Sequence, residues 1–293
     1  MTHLKNQKLE GEWSKRLLTE ADYDTLIEGN NLVYGPNGEL ILVLLRGEFD
    51  KTQLASAWQI IKDINLKTDN RGTAAGVDMV AHKKADGTIS KTHSVPKGHE
   101  VISGVVGYYP RYPRIPFCRE CAWNQQHPEQ FKSLLPLFQR VNALHEKYAN
   151  ESWKYQKAVV DKTSKDFVIP GTIYTTVTVN KNFRTASHLD AKNLPEGMAP
   201  MILMRQGKFE GGHVVLPEWR IAAKLDTGDL IIFRNMLDYH GNTKIIPLSK
   251  DYQRCTLVFY YREEMTKCGT KEQELARAKS GQDYSINFNE GNE

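Results

Sequence analysis

Between Thr172 and Glu263 the chain breaks into six short segments rich in β-branched and aromatic residues: TIYTTVTVN, FRTASHLD, APMILMR, GGHVVLPEW, DLIIF and RCTLVFYYRE. Glycine and polar turns separate them, and closely spaced strands of this kind close into a jelly roll or barrel, which removes exposed sheet edges. Upstream, NLVYGPNGELILVLLRGEF reads as a hairpin turning at Gly35 to Gly38, a helix is predicted over Thr52 to Ile64, and VISGVVGYY reads as a strand. In HPEQFKSLLPLFQRVNALHEKYA, Pro128 falls in the first turn of a predicted helix, with Phe131, Leu134, Leu135, Phe138, Val141 and Leu144 as its core face. The expected class is therefore mainly β with flanking helices (α+β), around a double-stranded β-helix, jelly-roll core. With 293 residues a single domain is expected: N-terminal strands and supporting helices over 1–165, the β core with its chemistry over 166–265, and a short charged helix and polar tail over 266–293.

No apolar run is long enough to cross a bilayer, and the first residues, MTHLKNQKLEGEWSKR, lack the apolar centre of a secretory signal, so an intracellular, cytoplasmic protein is expected. Cys118, Cys121, Cys255 and Cys268 are too few and too unevenly spaced for a disulfide framework and are expected as free thiols. Cys118 and Cys121 form a CxxC, but no second close pair accompanies it, which argues against structural zinc. The formal charge of +4 is mild, but it is unevenly spread. Four lysines and one aspartate lie in the stretch from His82 to Lys97, read as a basic loop. Tyr108, Tyr109 and Tyr112 interleave with Arg111 and Arg114, a pattern that suits either stacked bases and phosphates or a proline-rich surface turn. NRGTAAG, residues 70–76, reads as a loop, or as a place where backbone approaches a ligand.

His188 and Asp190 stand two apart on a predicted strand and so project to one face. One further ligand completes the 2-His-1-carboxylate arrangement of non-haem Fe(II) oxygenases, which leaves open positions for co-substrate and dioxygen. That ligand is expected at His240, just beyond the strand begun by the Gly228-Asp229 turn; His213 in GGHVVLP is the rival. Arg254 and Thr256, fourteen and sixteen residues past His240, again share a strand face. Guanidinium and hydroxyl together can grip one carboxylate of 2-oxoglutarate by charge-assisted hydrogen bonds.

At this point the sequence resembles the TET/JBP group of Fe(II)- and 2-oxoglutarate-dependent nucleic-acid base dioxygenases, in particular its compact phage and bacterial members. The resemblance rests on VNKNFRTASHLDAKN, EGGHVVLPEW, GDLIIF with YHGN, and RCTLVFYY, with weaker likeness in NRGTAAG, SGVVGYY and CRECAWNQQHPEQF. It implies Fe(II) on His188, Asp190 and His240, 2-oxoglutarate on Arg254 with Thr256, dioxygen as co-substrate, and oxidation of a pyrimidine 5-methyl group in DNA. Asn193, third after the HxD aspartate, matches the family's base-contacting position; the other reading is a loop asparagine capping its own turn. Its likeness to TET favours 5-methylcytosine, with thymine as the other base. The zinc modules of animal TET proteins and the J-binding domain of the kinetoplastid enzymes have no counterpart. DNA is thus expected to meet the catalytic domain itself, single-stranded or with a flipped base, and neither a membrane nor an obligate protein partner is expected. Candidates for the DNA backbone are Lys83, Lys84, Lys91, Arg111 and Arg114; Arg119 and Arg184 are candidates for the base or co-substrate. Cys121 stands where compact members carry threonine. The same triad also supports hydroxylation of an amino acid, peptide or small metabolite, and a third reading is a non-catalytic barrel with vestigial ligands.

Overall fold

The computed structural model describes residues 1–83, 87–113 and 115–280, apart from the side chains of residues 82, 83 and 90–92. The chain divides into two compact units: residues 1–104, 178–191 and 199–258 form the first, and residues 105–177, 192–198 and 259–293 the second.

The first unit is the β core. Its large sheet runs in the order Thr2–His3, Asn31–Tyr34, Leu40–Leu45, Leu230–Phe233, Ala199–Gln206, Gln253–Tyr260, Thr176–Lys181, Val101–Tyr109 and Lys67–Thr68, with Gln253–Tyr260, Thr176–Lys181 and Val101–Tyr109 running past the unit's chain boundaries. A smaller sheet is ordered Gly241–Asn242, Val214–Leu216, Ile221–Ala223 and Thr25–Ile27. Leu42, Leu44, Met201, Leu203, Ile231 and Phe233 of the large sheet pack with Val214, Leu216, Ile221 and Ala223 of the small one in a single buried cluster. Removing this apolar area from water is the main force closing the two sheets on each other. The central strands LILVLL and LIIF read as continuous apolar runs because both of their faces are covered. This is the expected jelly-roll core. The hairpin turn at Gly35 to Gly38 forms, with Gly35 N donating to Glu39 O at 2.8 Å. The predicted helix becomes Lys51–Ile61, started by the Asp50 carboxylate accepting from Gln53 N at 3.0 Å.

Three sequence expectations in this unit change. NRGTAAG contains a single helical turn, Gly72–Ala75, closed by Gly76 in the left-handed conformation. Of the basic stretch, residues 82–83 and 89–94 lie in two antiparallel strands, Val80–Lys83 and Ile89–Ser94, rather than in a loop. FRTASHLD is not a strand: only an isolated bridge forms at His188, so strand periodicity is not what brings His188 and Asp190 together.

In the second unit, Pro128 opens the helix Pro128–Tyr148 as expected, but its buried face uses Leu137 where Leu135 was expected, since Leu135 is partly exposed. A second helix, Asn150–Val160, follows, and the C-terminal helix spans Lys271–Lys279 with a Thr270 capping box. The cysteines depart from expectation: Cys118 and Cys268, 150 residues apart, form a disulfide, while Cys121 and Cys255 are buried thiols. Tertiary folding creates that pairing, which spacing could not reveal. The bond lies beside the buried Glu274, whose carboxylate accepts from Cys118 N at 2.7 Å and Gly269 N at 2.8 Å and pairs with Arg111. Cys121 takes over the work of a capping hydroxyl: its Sγ accepts from Asn124 N at 3.5 Å at the start of helix Ala122–Gln126.

His145 is fully buried in this unit, with Nδ1 at 3.1 Å from Tyr174 Oη and Nε2 at 3.3 Å from Ser152 Oγ. Burial drives its pKa down to about 3. A histidine depressed below its unfolded value contributes full stability above that value, about 6.5, and loses it on acidification because the unfolded chain takes up the proton first. Between pH 6.5 and 3 the protein is expected to lose up to about 1.4 kcal/mol per pH unit through this one group. Thermal melts of wild type and His145→Gln across that window check this, the variant having the shallower slope. Peptide mapping without reduction is expected to link Cys118 to Cys268, with only Cys121 and Cys255 alkylated after unfolding.

Candidate metal and co-substrate site

His188 and His240 lie on different segments that meet in a reciprocal backbone bridge: His188 N donates to His240 O at 3.0 Å, and His240 N to His188 O at 3.0 Å. The next residue, Gly241, packs so closely that a Cβ there would stand 2.7 Å from Thr185 O. Asn242 locks the same crossing, its Oδ1 accepting from Thr185 N at 2.8 Å and its N donating to Thr185 O at 2.9 Å. YHGN is thus a tight crossing of two chain segments at which the glycine is the only residue that fits.

The ligand atoms of His188, Asp190 and His240 all lie within 4.8 Å of one another. His188 Nδ1 faces Ala186 O at 2.9 Å and His240 Nδ1 faces Asp238 O at 3.1 Å. A carbonyl only accepts, so each ring carries its proton on Nδ1 and keeps the Nε2 lone pair for a metal. His188 Nε2 is 3.2 Å from Asp190 Oδ1, and the other carboxylate oxygen accepts from Asn235 Nδ2 at 2.7 Å. Burial pulls His240 down to about 4, reinforced by the His188 ring, so it is neutral at pH 7 as a ligand must be. Burial alone would raise the Asp190 carboxyl, but its surroundings of His188, His240 and the Asn235 amide outweigh that and hold the carboxyl well below the usual range. Two imidazoles, each with its Nδ1 engaged by a backbone carbonyl, and one carboxylate gathered together make a donor set suited to Fe(II). His213, the rival third ligand, is not part of the cluster; its backbone N donates to Thr243 Oγ1 at 3.1 Å.

Arg254 and Thr256 occupy one face of strand Gln253–Tyr260, and both are buried. The Arg254 backbone is fixed through Asn182, whose Oδ1 accepts from Arg254 N at 2.7 Å. Its Nη2 donates to Gly212 O at 2.9 Å, while its Nε is buried with no hydrogen-bond partner, and among the described residues no carboxylate pairs with the guanidinium. Burial brings its pKa down to about 10, so it keeps its charge at neutral pH. A buried, unpaired guanidinium is costly and is a receptor for an anion, which is what a 2-oxoglutarate carboxylate supplies. The glycine pair in EGGH permits this arrangement: Gly212 has φ +67°, and a Cβ on it would meet Arg254 Nε at 2.8 Å.

The remaining sequence candidates separate by environment. The Arg184 guanidinium donates to Leu18 O at 3.0 Å and leaves Nε buried without a partner. Arg111 is held by Glu274 in the second unit rather than being presented to a phosphate backbone. Lys84 and Arg114 lie outside the described residues, as do the side chains of Lys83 and Lys91. Asn193 is bridged through its backbone to Arg262, which sequence reasoning passed over. Arg262 donates to Tyr112 Oη at 3.1 Å and Tyr260 Oη at 3.2 Å, and Arg119 lies over the rings of Tyr109 at 4.8 Å and Tyr112 at 5.7 Å. Arg119 Nη1 and Arg262 Nε are both buried without a partner. The second unit thereby gathers two guanidiniums, three tyrosines and Asn193. The one sequence signal for Tyr260 and Arg262 was the YYR that ends the last core strand.

Residues 104–263 match the TET/JBP family, described as the oxygenase domain of the 2OGFeDO superfamily. The chain belongs to that family. Fe(II), 2-oxoglutarate and dioxygen come with membership, and the His188, Asp190 and His240 cluster and the unpaired Arg254 are suited to receive the first two. Curated TET/JBP relatives include thymine dioxygenase JBP1-A of Trypanosoma cruzi, 31% identical over 190 residues that cover 62% of this chain and 22% of that protein. The bifunctional helicase and thymine dioxygenase JBP2 of Leishmania braziliensis is 30% identical over 162 residues, 55% of this chain and 14% of that protein. This chain thus spans less than a quarter of either relative's length. Among solved structures, NgTET1 in complex with 5mC DNA aligns over 88% of both chains with a TM-score of 0.58 and 14% identity, a likeness of fold.

Gly212→Ala is expected to push the Arg254 guanidinium aside and raise the KM for 2-oxoglutarate at least tenfold, with a smaller effect on kcat. Succinate formation measured against 2-oxoglutarate concentration tests it.

Proposed function

We propose that this chain oxidises the 5-methyl group of a pyrimidine base in DNA, using Fe(II), 2-oxoglutarate and dioxygen. The observation that carries the proposal is the presence of a His188, Asp190 and His240 cluster and of a buried arginine, Arg254, that pairs with no carboxylate among the described residues, in a chain of the TET/JBP family. Bound Fe(II), with 2-oxoglutarate and dioxygen, supplies the oxidising power needed to break the methyl C–H bond. His188, Asp190 and His240 would hold the metal, and their hydrogen bonds to Ala186, Asn235 and Asp238 keep the donors aimed. Arg254, with Thr256, holds the co-substrate carboxylate.

The nucleic-acid contacts are assigned to Asn193 and Arg119 and, from the same cluster, to Tyr109, Tyr112, Tyr260 and Arg262. Guanidiniums and phenol rings bind bases by stacking, and guanidiniums pair with phosphates or base acceptors. A methyl group inside stacked duplex is out of reach, so the base is taken single-stranded or flipped, at a cost of a few kcal/mol that phosphate contacts offset. The base is 5-methylcytosine or thymine: the Asn193 position is TET-like, whereas the curated relatives are thymine dioxygenases. An amide both donates and accepts and so serves either base.

Nucleoside mass spectrometry decides the reaction and the base together. Methylated and unmethylated DNA incubated with the protein, Fe(II), 2-oxoglutarate and ascorbate is expected to gain 5-hydroxymethylcytosine or 5-hydroxymethyluracil, and to gain neither with His188→Ala. Slow succinate formation without any oxidised base would move the substrate to an amino acid, peptide or metabolite. DNA affinity is further expected to fall steeply with salt, linearly on a double-logarithmic plot.

A further inference from the structure

Residues 234–239, between strand Leu230–Phe233 and His240, hold two of the three metal-ligand candidates at once. Asn235 grips Asp190 twice: its carbonyl accepts from Asp190 N at 2.9 Å, and its side-chain amide donates to Asp190 Oδ2 at 2.7 Å. Three residues on, the Asp238 carbonyl accepts from the His240 ring at 3.1 Å.

The loop is itself clamped from behind. The Asp238 carboxylate is completely buried and accepts from Trp219 Nε1 at 2.9 Å and from Arg234 Nε at 2.8 Å, with Lys8 Nζ at 3.1 Å. Glu218 Oε2 accepts from Tyr239 N at 2.6 Å. The Glu-Trp of LPEW thus braces the Asp-Tyr that precedes His240, through a charge network too well satisfied to shift easily. Asn235 is itself buried, with its amide aimed at the one oxygen of Asp190 that does not face His188.

We propose that Asn235 is a positioning residue of the metal centre: it engages Asp190 Oδ2 so that the carboxylate meets a metal through Oδ1 alone, and the Asp238 clamp fixes the loop that does this. The proposal rests on the reading of His188, Asp190 and His240 as metal ligands. A carboxylate with both oxygens free can rotate or chelate, and chelation takes up a coordination position that an oxygenase must leave open. An amide N–H on one oxygen sets the rotamer and leaves the other oxygen as the donor; groups in this role typically change metal affinity about 10–100-fold when removed.

The test is calorimetric titration of the metal-free full chain with Mn(II), alongside circular dichroism and thermal melting without metal. Wild type is expected to bind one Mn(II), and His188→Ala to lose that binding; if His188→Ala binds as wild type does, the ligand reading fails whatever Asn235 does. Asn235→Ala is expected to weaken Mn(II) binding about 10–100-fold while its metal-free spectrum and melting temperature stay close to wild type. A folded Asn235→Ala that binds Mn(II) within twofold of wild type overturns the proposal. Should the alanine variant not fold, the isosteric Asn235→Asp decides: it replaces the donor with a like charge, so weaker binding supports positioning by the amide, and equal or tighter binding overturns it.

Discussion

The fold of the first unit comes to a point at two hydrogen bonds, the reciprocal pair between the backbones of His188 and His240. Neither histidine lies in a regular strand, so no ladder sets their spacing. What sets it is close packing on either side: Gly241 with no room for a Cβ, Asn242 accepting from and donating to Thr185, and Ala186 N donating to Ala74 O at 2.7 Å. Each of these polar contacts contributes only about 1 kcal/mol net. Together they bring two imidazoles from segments some fifty residues apart to a ring separation of 4.4 Å. The jelly-roll core supplies the rigidity behind them, since its two sheets share one apolar cluster and cannot slide without opening it.

Arg254 shows the same logic applied to charge. Burying a guanidinium without a carboxylate costs stability, and the fold bears that cost by arranging a glycine pair around it and a single carbonyl acceptor beneath it. Burial lowers its pKa only to about 10, so the charge survives at neutral pH and the site stays cationic. An ordinary structural arginine would have been neutralised by a neighbouring acid, as Arg111 is by Glu274 in the second unit. The contrast between these two arginines separates a candidate anion receptor from a strut more sharply than their sequence contexts do.

Much of this was legible in the sequence, and the reasons for the exceptions are physical. Turn residues and β-branched runs marked the core strands, the HxD and the distant histidine marked the cluster that the fold gathers, and the RxT marked a buried pair on one strand face. The argument for His188 and Asp190, however, relied on strand alternation, whereas the structure holds them by an irregular segment and a bridge. The Cys118–Cys268 bond and the Asn193–Arg262 bridge were invisible because both join residues distant in sequence, with no local pattern to announce them. The acidic partners of Arg111 and Lys8 were hidden for the same reason: a buried ion pair is a property of the fold, and composition records only its members.

The family match begins at residue 104, yet the first hundred residues are part of the machinery rather than an appendage. Thr2–His3, Asn31–Tyr34 and Leu40–Leu45 extend the large sheet beyond Leu230–Phe233, and Thr25–Ile27 pairs with Ile221–Ala223 to cover the free edge of the small one. Without them both sheets would end in unpaired edges and the faces of LIIF would lose their cover. Their reach extends to the chemistry. Lys8 bridges Glu218 and Asp238, the two buried carboxylates that brace the approach to His240, adding a second cation beside Asp238, which already pairs with Arg234, and placing the same charge on Glu218. A segment that carries none of the candidate ligands therefore stabilises the loop that leads into one of them, through charge and edge pairing.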